Sequence, residues 1–128
     1  MTFKEFYIYD KNGKSNCVIR SLCKILNKEY NTVYDELCEV AQKLKLISFN
    51  DIPVFEKYME DNNIIKTSYS EDIKVKDLKL DNSDYIVFCY DKKDFYHMVP
   101  IIDKVIYDKN TDCMDLYVIT IYKKIKNS

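Results

Sequence analysis

The chain changes its pattern once, near residue 84, and that change limits the folds open to it. Before it, apolar residues recur at helical spacing. Val18, Leu22, Ile25 and Leu26 repeat behind the loop Asp10–Ser15, and Val33, Leu37, Val40, Ala41 and Leu44 repeat from about Asn31. Val54, Phe55, Tyr58 and Met59 follow in a segment from Asp51 to about Asp61 with Pro53 in its first turn. From Asp84 onward the residues are β-branched and aromatic: Tyr85–Tyr90, Phe95–Ile102, Val105–Asp108 and Leu116–Tyr122. A short strand over Phe3–Tyr9 precedes the first helix. Helices first and strands afterwards, without βαβ alternation, predict an α+β domain in which the helices cover one face of an antiparallel meander.

The 128 residues suit one domain over 1–128, and 47% apolar content is enough for a core. With one glycine and two prolines, turns must be read from Asn, Asp and Lys. Ile8-Tyr9-Asp10-Lys11-Asn12 recurs as Ile106-Tyr107-Asp108-Lys109-Asn110, and each copy marks a strand running into a turn. Twenty basic and 21 acidic side chains give a net charge of -1, so no field gathers nucleic acid or an anionic membrane; Lys123, Lys124 and Lys126 read as a solvated tail. No apolar run nears the ~20 residues of a spanning helix, and the first residues lack a secretory signal's apolar stretch. Five cysteines, an odd number without a C-x-x-C pair or zinc-like spacing beside the one histidine, fit free thiols in a reducing compartment. The expectation is a cytoplasmic protein with no metal and no cofactor. Lys, Asn, Ile and Tyr abound and Arg20 is the one arginine, a usage typical of AT-rich genomes.

Cys17 is the cysteine placed for chemistry. It opens the first helix behind a polar loop in which Ser15 or Asn16 can cap, so the unpaired amides and dipole there favour a thiolate and can serve an oxyanion. Cys23 and Cys38 fall on or near buried helix stripes, Cys89 is inside a strand, and Cys113 is in a polar connection, so filler is the plain reading of these four. His97 is the one available imidazole; it shares a strand face with Phe95, Val99 and Ile101, where a buried histidine satisfied by a carbonyl is the plain alternative. If Asp103-Lys104 is a two-residue turn, Ile102 faces Val105, Val99 faces Asp108 and His97 faces Asn110. Asp108 and Asn110 then both flank the ring, and either can orient it. A loop one residue longer or shorter moves both to the other face.

Asn16-Cys17-Val18-Ile19-Arg20-Ser21-Leu22, with Lys28-Glu29-Tyr30 and Val33-Tyr34 behind it, resembles small bacterial and phage proteins of the papain-like cysteine peptidase superfamily. These carry D-C-V-x-R-A-x, then G-x-x-Y-x-x-V-Y, and later H-x-V-x-V-I-D-G-x-x-Y-D. The last is similar to His97-Met98-Val99-Pro100-Ile101-Ile102-Asp103-Lys104-Val105-Ile106-Tyr107-Asp108. The resemblance implies a papain-like fold with Cys17 as nucleophile, His97 as general base and acid, and Asp108 as the group orienting the imidazole. Asn16 stands where those proteins have aspartate, Lys104 replaces the turn glycine, and no glutamine precedes Cys17 to complete an oxyanion hole. Asn12, in the loop upstream, and Asn16 are the amides available for an oxyanion or substrate contact. Arg20, one turn beyond Cys17, can steady the thiolate or grip a substrate carboxylate, with an ion pair to Asp35 or Glu36 as the structural alternative. Tyr96, beside His97, can border a cleft. Two functions follow: a cysteine hydrolase acting on a peptide or isopeptide amide, or a non-catalytic papain-fold protein of a phage or mobile element that blocks a host protein.

Overall fold

The computed structural model describes residues 1–67 and 72–126. Three helices, α1 (Cys17–Leu26), α2 (Tyr30–Lys43) and α3 (Ile52–Asp61), lie between β1 (Thr2–Glu5) and the strands β2 (Ile64–Thr67), β3 (Asp84–Tyr90), β4 (Tyr96–Ile102), β5 (Val105–Asp108) and β6 (Tyr117–Lys124). The α+β class and the order of helices before strands are as the sequence pattern predicts. Asn16 caps α1, its Oδ1 accepting from the amides of Val18 and Ile19, and Asn27 ends it in the left-handed region at φ 54°. α3 carries Pro53 in its first turn.

The sheet differs from the expected antiparallel meander. Its order is β1-β5-β4-β3-β6-β2, and β1 pairs with β5 in parallel, so the sheet is mixed. Only β3, β4 and β5 form a meander; β6 returns to the other side of β3 and then accepts β2. β1 also stops at Glu5, short of Tyr9, because its partner ends: Glu5 pairs with Asp108, the last residue of β5. The hairpin has the expected register at its turn. Asp103 and Lys104 occupy the turn at φ 50° and 64°, and Ile102 faces Val105. Two positive φ values give the turn whose twist matches the flanking strands.

Alternation along the strands feeds two cores. Ile86, Met98 and Tyr122 join Val18, Leu22, Val33, Leu37, Phe55 and Met59 on the helix side. Val87, Cys89, Val99, Ile101, Ile106 and Ile121 form a second core with Val75, Leu78 and Cys113. The latter three lie on or beside the short 3-10 turns Val75–Asp77 and Thr111–Asp115. Ser21 pins α1 to the sheet, donating its hydroxyl to the Met98 carbonyl at 3.1 Å. Among the described residues no helix is long and apolar enough to cross a membrane.

Candidate active site

That pin sets the first turn of α1 against the start of β4. The Cys17 thiol is near enough to the His97 imidazole and to the backbone of Met98 for both to lower its pKa. Residues Val18 and Ile19 give their amides to the Asn16 cap, and the Arg20 amide goes to the Asn16 carbonyl at 2.8 Å. The Cys17 amide is the one first-turn donor without an acceptor among the described residues. It is available to an oxyanion forming at the thiol.

Asp108 reaches the other side of the imidazole, accepting from His97 Nε2 at 2.6 Å. An ionised carboxylate only accepts, so Nε2 carries the proton and Nδ1 is the nitrogen left for the thiol. The second carboxylate oxygen accepts from Arg20 Nη2 at 2.9 Å and from the Lys109 amide at 2.8 Å. Arg20 and Asp108 are both buried, and the His97 side chain is 14% exposed.

These contacts set the charges. Burial pushes the Cys17 thiol up, but the imidazole, the Met98 backbone and the Arg20 charge outweigh it, and the net direction is down. Burial presses His97 down, while Asp108 and Cys17 raise it; the outcome is a pKa raised to about 9. Asp108 is raised by burial and lowered more by His97, the Lys109 amide and Arg20, so it stays ionised. The arrangement therefore favours a thiolate beside an imidazolium. The other buried thiols are driven the opposite way: burial pushes Cys23 up to about 11 and raises Cys89 and Cys113 further.

The remaining candidates separate. Asn110, the alternative orienting group, does not meet the ring; its side chain accepts from the Asp112 amide at 2.9 Å and caps the turn Thr111–Asp115. The β4–β5 pairing runs only over Ile102–Val105 and Ile101–Ile106, so neither projected pair, Val99 with Asp108 or His97 with Asn110, is part of the ladder, and Asp108 pairs with Glu5 of β1 instead. Arg20 is paired with Asp108 and Ser15 rather than with Asp35 or Glu36. Glu36 instead accepts from Lys28 at 3.0 Å and from the Tyr58 hydroxyl at 2.8 Å. At 4% exposure, Arg20 is also closed to any substrate carboxylate. Asn16 is engaged as the cap. Asn12 sits in the exposed loop ordered by Asp10 and lines a cleft of about 700 Å³ with Lys11, Lys14, Tyr34 and Phe49. Among the described residues it makes no hydrogen bond to Cys17 or His97. Tyr96 is 53% exposed, its ring stacked on Phe88 and Tyr90 at 5.8 and 5.7 Å.

Three residues escaped the sequence reading of the site. Phe95 stacks on the imidazole at 5.7 Å and 20°; its place two residues before His97 on one strand face was the available signal. The small polar Ser21 sits on an apolar helix stripe, which marks a buried hydroxyl seeking a partner. Nothing in the sequence signals that Ser15 accepts from Arg20. Among the described residues no group of three or more His, Cys, Asp or Glu side chains is disposed to hold a metal ion. No family model, curated protein or solved structure matches the chain.

Proposed function

We propose that the protein is a papain-like cysteine hydrolase acting on a peptide or isopeptide amide. The observation that carries this reading is the meeting of Cys17, at the start of α1, with the chain's one histidine, itself held by Asp108 at 2.6 Å. A nucleophile, a base beside it and a third group orienting the base form the set that acyl transfer requires. The Cys17 thiolate adds to the carbonyl carbon, and the displaced electron pair goes to oxygen, where the free Cys17 amide donates to it. Collapse expels the amine, which takes the proton from His97 and leaves a thioester on Cys17. Water, deprotonated by His97, then adds to the thioester and releases the acid and the thiol.

The test is alkylation with iodoacetamide at mildly acidic pH. The expected result is stoichiometric reaction at Cys17, slowed in His97→Ala. Equal, slow labelling of every exposed cysteine defeats the reading.

A second reading draws on one specific observation: Asn12, the upstream amide offered for the oxyanion, lines a cleft that includes neither Cys17 nor His97, and so leaves the oxyanion with a single backbone donor. On that reading the chain is a non-catalytic papain-fold protein of a phage or mobile element that blocks a host protein. A tight complex with a host protein that survives Cys17→Ala favours it; loss of the effect in that variant favours catalysis.

A further inference from the structure

Arg20 is a permanent charge at 4% exposure, and burying such a group is unfavourable unless its donors are filled. Its two terminal nitrogens go to two different partners. Nη2 donates to Asp108 Oδ1 at 2.9 Å and Nη1 donates to Ser15 Oγ at 3.1 Å. With the Lys109 amide also on Oδ1, the second oxygen of Asp108 is the one turned to His97. Ser15 stands two residues before Cys17. The contacts His97–Asp108–Arg20–Ser15 thus leave the partner of the thiol and return to the loop that presents the thiol.

We propose that Arg20 is a positioning residue: its guanidinium, braced on Ser15, holds the Asp108 carboxylate at the angle that aims His97 at Cys17. This rests on reading Cys17 and His97 as the reacting pair. The geometry favours an arginine, because a planar fork spans two acceptors in fixed directions and an ammonium does not. It also explains why a basic residue lies so close to an imidazolium. As a pure charge it opposes protonation of the ring; as a brace it promotes protonation by keeping Asp108 in place. The two roles move the histidine in opposite directions.

The groups facing the pair are few. Cys17 and Arg20 come from α1. Cys89, from β3, donates its thiol to the His97 carbonyl at 3.5 Å, and Cys113 lies beside Asp108 from the turn Thr111–Asp115. Burial keeps Cys89 and Cys113 as neutral thiols. The chain holds one histidine, so its ring proton resonances titrate without overlap from another imidazole.

The experiment is an NMR titration of His97 in the native protein, Arg20→Met, Arg20→Lys and Ser15→Ala. The expected result is a fall of the His97 midpoint by about one pH unit or more in Arg20→Met, a tenfold loss of the protonated form's advantage, with partial recovery in Arg20→Lys. A midpoint that rises or stands still in Arg20→Met overturns the proposal. Removing the arginine from a buried pair threatens the fold, so Ser15→Ala serves as the second variant. It removes one brace and no charge, and a smaller fall in the same direction is expected. No shift there, in a folded protein, also overturns the proposal. The readout does not depend on the thiol's reactivity. Failure of Cys17 to alkylate selectively would count against the hydrolase reading, whereas an unmoved His97 counts against the role of Arg20.

Discussion

At the scale of the residue, two charge states decide what the site does. Asp108→Asn removes the carboxylate that, with Cys17, offsets the burial of His97, so the imidazole falls from about 9 towards its ordinary 6.5 and is largely neutral at pH 8. The expected outcome is a Cys17 alkylation profile whose midpoint moves up, with at least about a tenfold slower reaction at pH 6. Rate constants measured from pH 5 to 9 check it. The same shift enters stability. A histidine at about 9 when folded and 6.5 when unfolded stabilises the fold fully below pH 6.5, and that contribution is lost as pH rises towards 9. The gap corresponds to roughly 3 kcal/mol at most. Asp108 behaves oppositely, its contribution being present above the ordinary carboxylate range and lost as pH falls through its lowered value. Urea unfolding of the native protein and His97→Ala, compared at pH 6 and pH 9, should show the difference between them narrowing at the higher pH.

At the scale of the element, the hairpin β4–β5 sets the distance between His97 and Asp108. Its turn places Asp103 and Lys104 in the left-handed region, which L side chains other than Asn and Asp occupy at a cost of about 1 kcal/mol. Lys104→Gly should relieve that and raise the melting temperature by a few degrees. Inserting one residue after Lys104 should instead turn Asp108 to the other face and bring the His97 titration back towards 6.5. Calorimetry and the histidine resonance read these outcomes. The pair Arg20–Asp108 ties α1 to this hairpin, and removing either partner alone strands a buried charge, at about 3–5 kcal/mol. The double variant Arg20→Met/Asp108→Leu should be less destabilised than the sum of the two single changes, as a double-mutant cycle in urea measures.

The hairpin was also the most legible element, because its register follows from counting outward from two turn residues. Cys17 at the head of α1 was legible for a similar local reason, a polar loop giving way to helical periodicity. The partner of Arg20 was not. Local sequence offers a helix side chain its neighbours three and four residues away and an adjacent helix, and Asp108 lies 88 residues further on. β2 was missed because it is four residues long and only Asn62 and Asn63, the latter at φ 62°, separate it from α3. The parallel pairing of β1 with β5 leaves no trace in either strand's own pattern.

At the scale of the whole molecule, two cores on opposite faces of one sheet explain why the thiols differ. Cys23 belongs to the helix-side core and Cys89 and Cys113 to the other, whereas Cys17 sits at the margin of the first. Titration with a disulfide reagent should find five reactive thiols in denaturant. In the native protein the buried Cys23, Cys89 and Cys113 should stay silent and Cys17 should react fastest. Fast reaction of all five in the folded state would mean that neither core closes over its cysteines. The sequence pattern did foresee helices on one face, but the cover on the other comes from short 3-10 turns too brief to carry a period. The parallel contact of β1 with β5 has a further consequence, in time rather than in space. The Phe6 amide donates to the Asp108 carbonyl at 2.9 Å, so β1 closes on a strand about a hundred residues further along, a long-range pairing of the kind that slows folding. His97 and Met98, which lower the Cys17 thiol, lie on β4 beside that strand, so the lowered thiol belongs to the folded state and not to the unfolded chain.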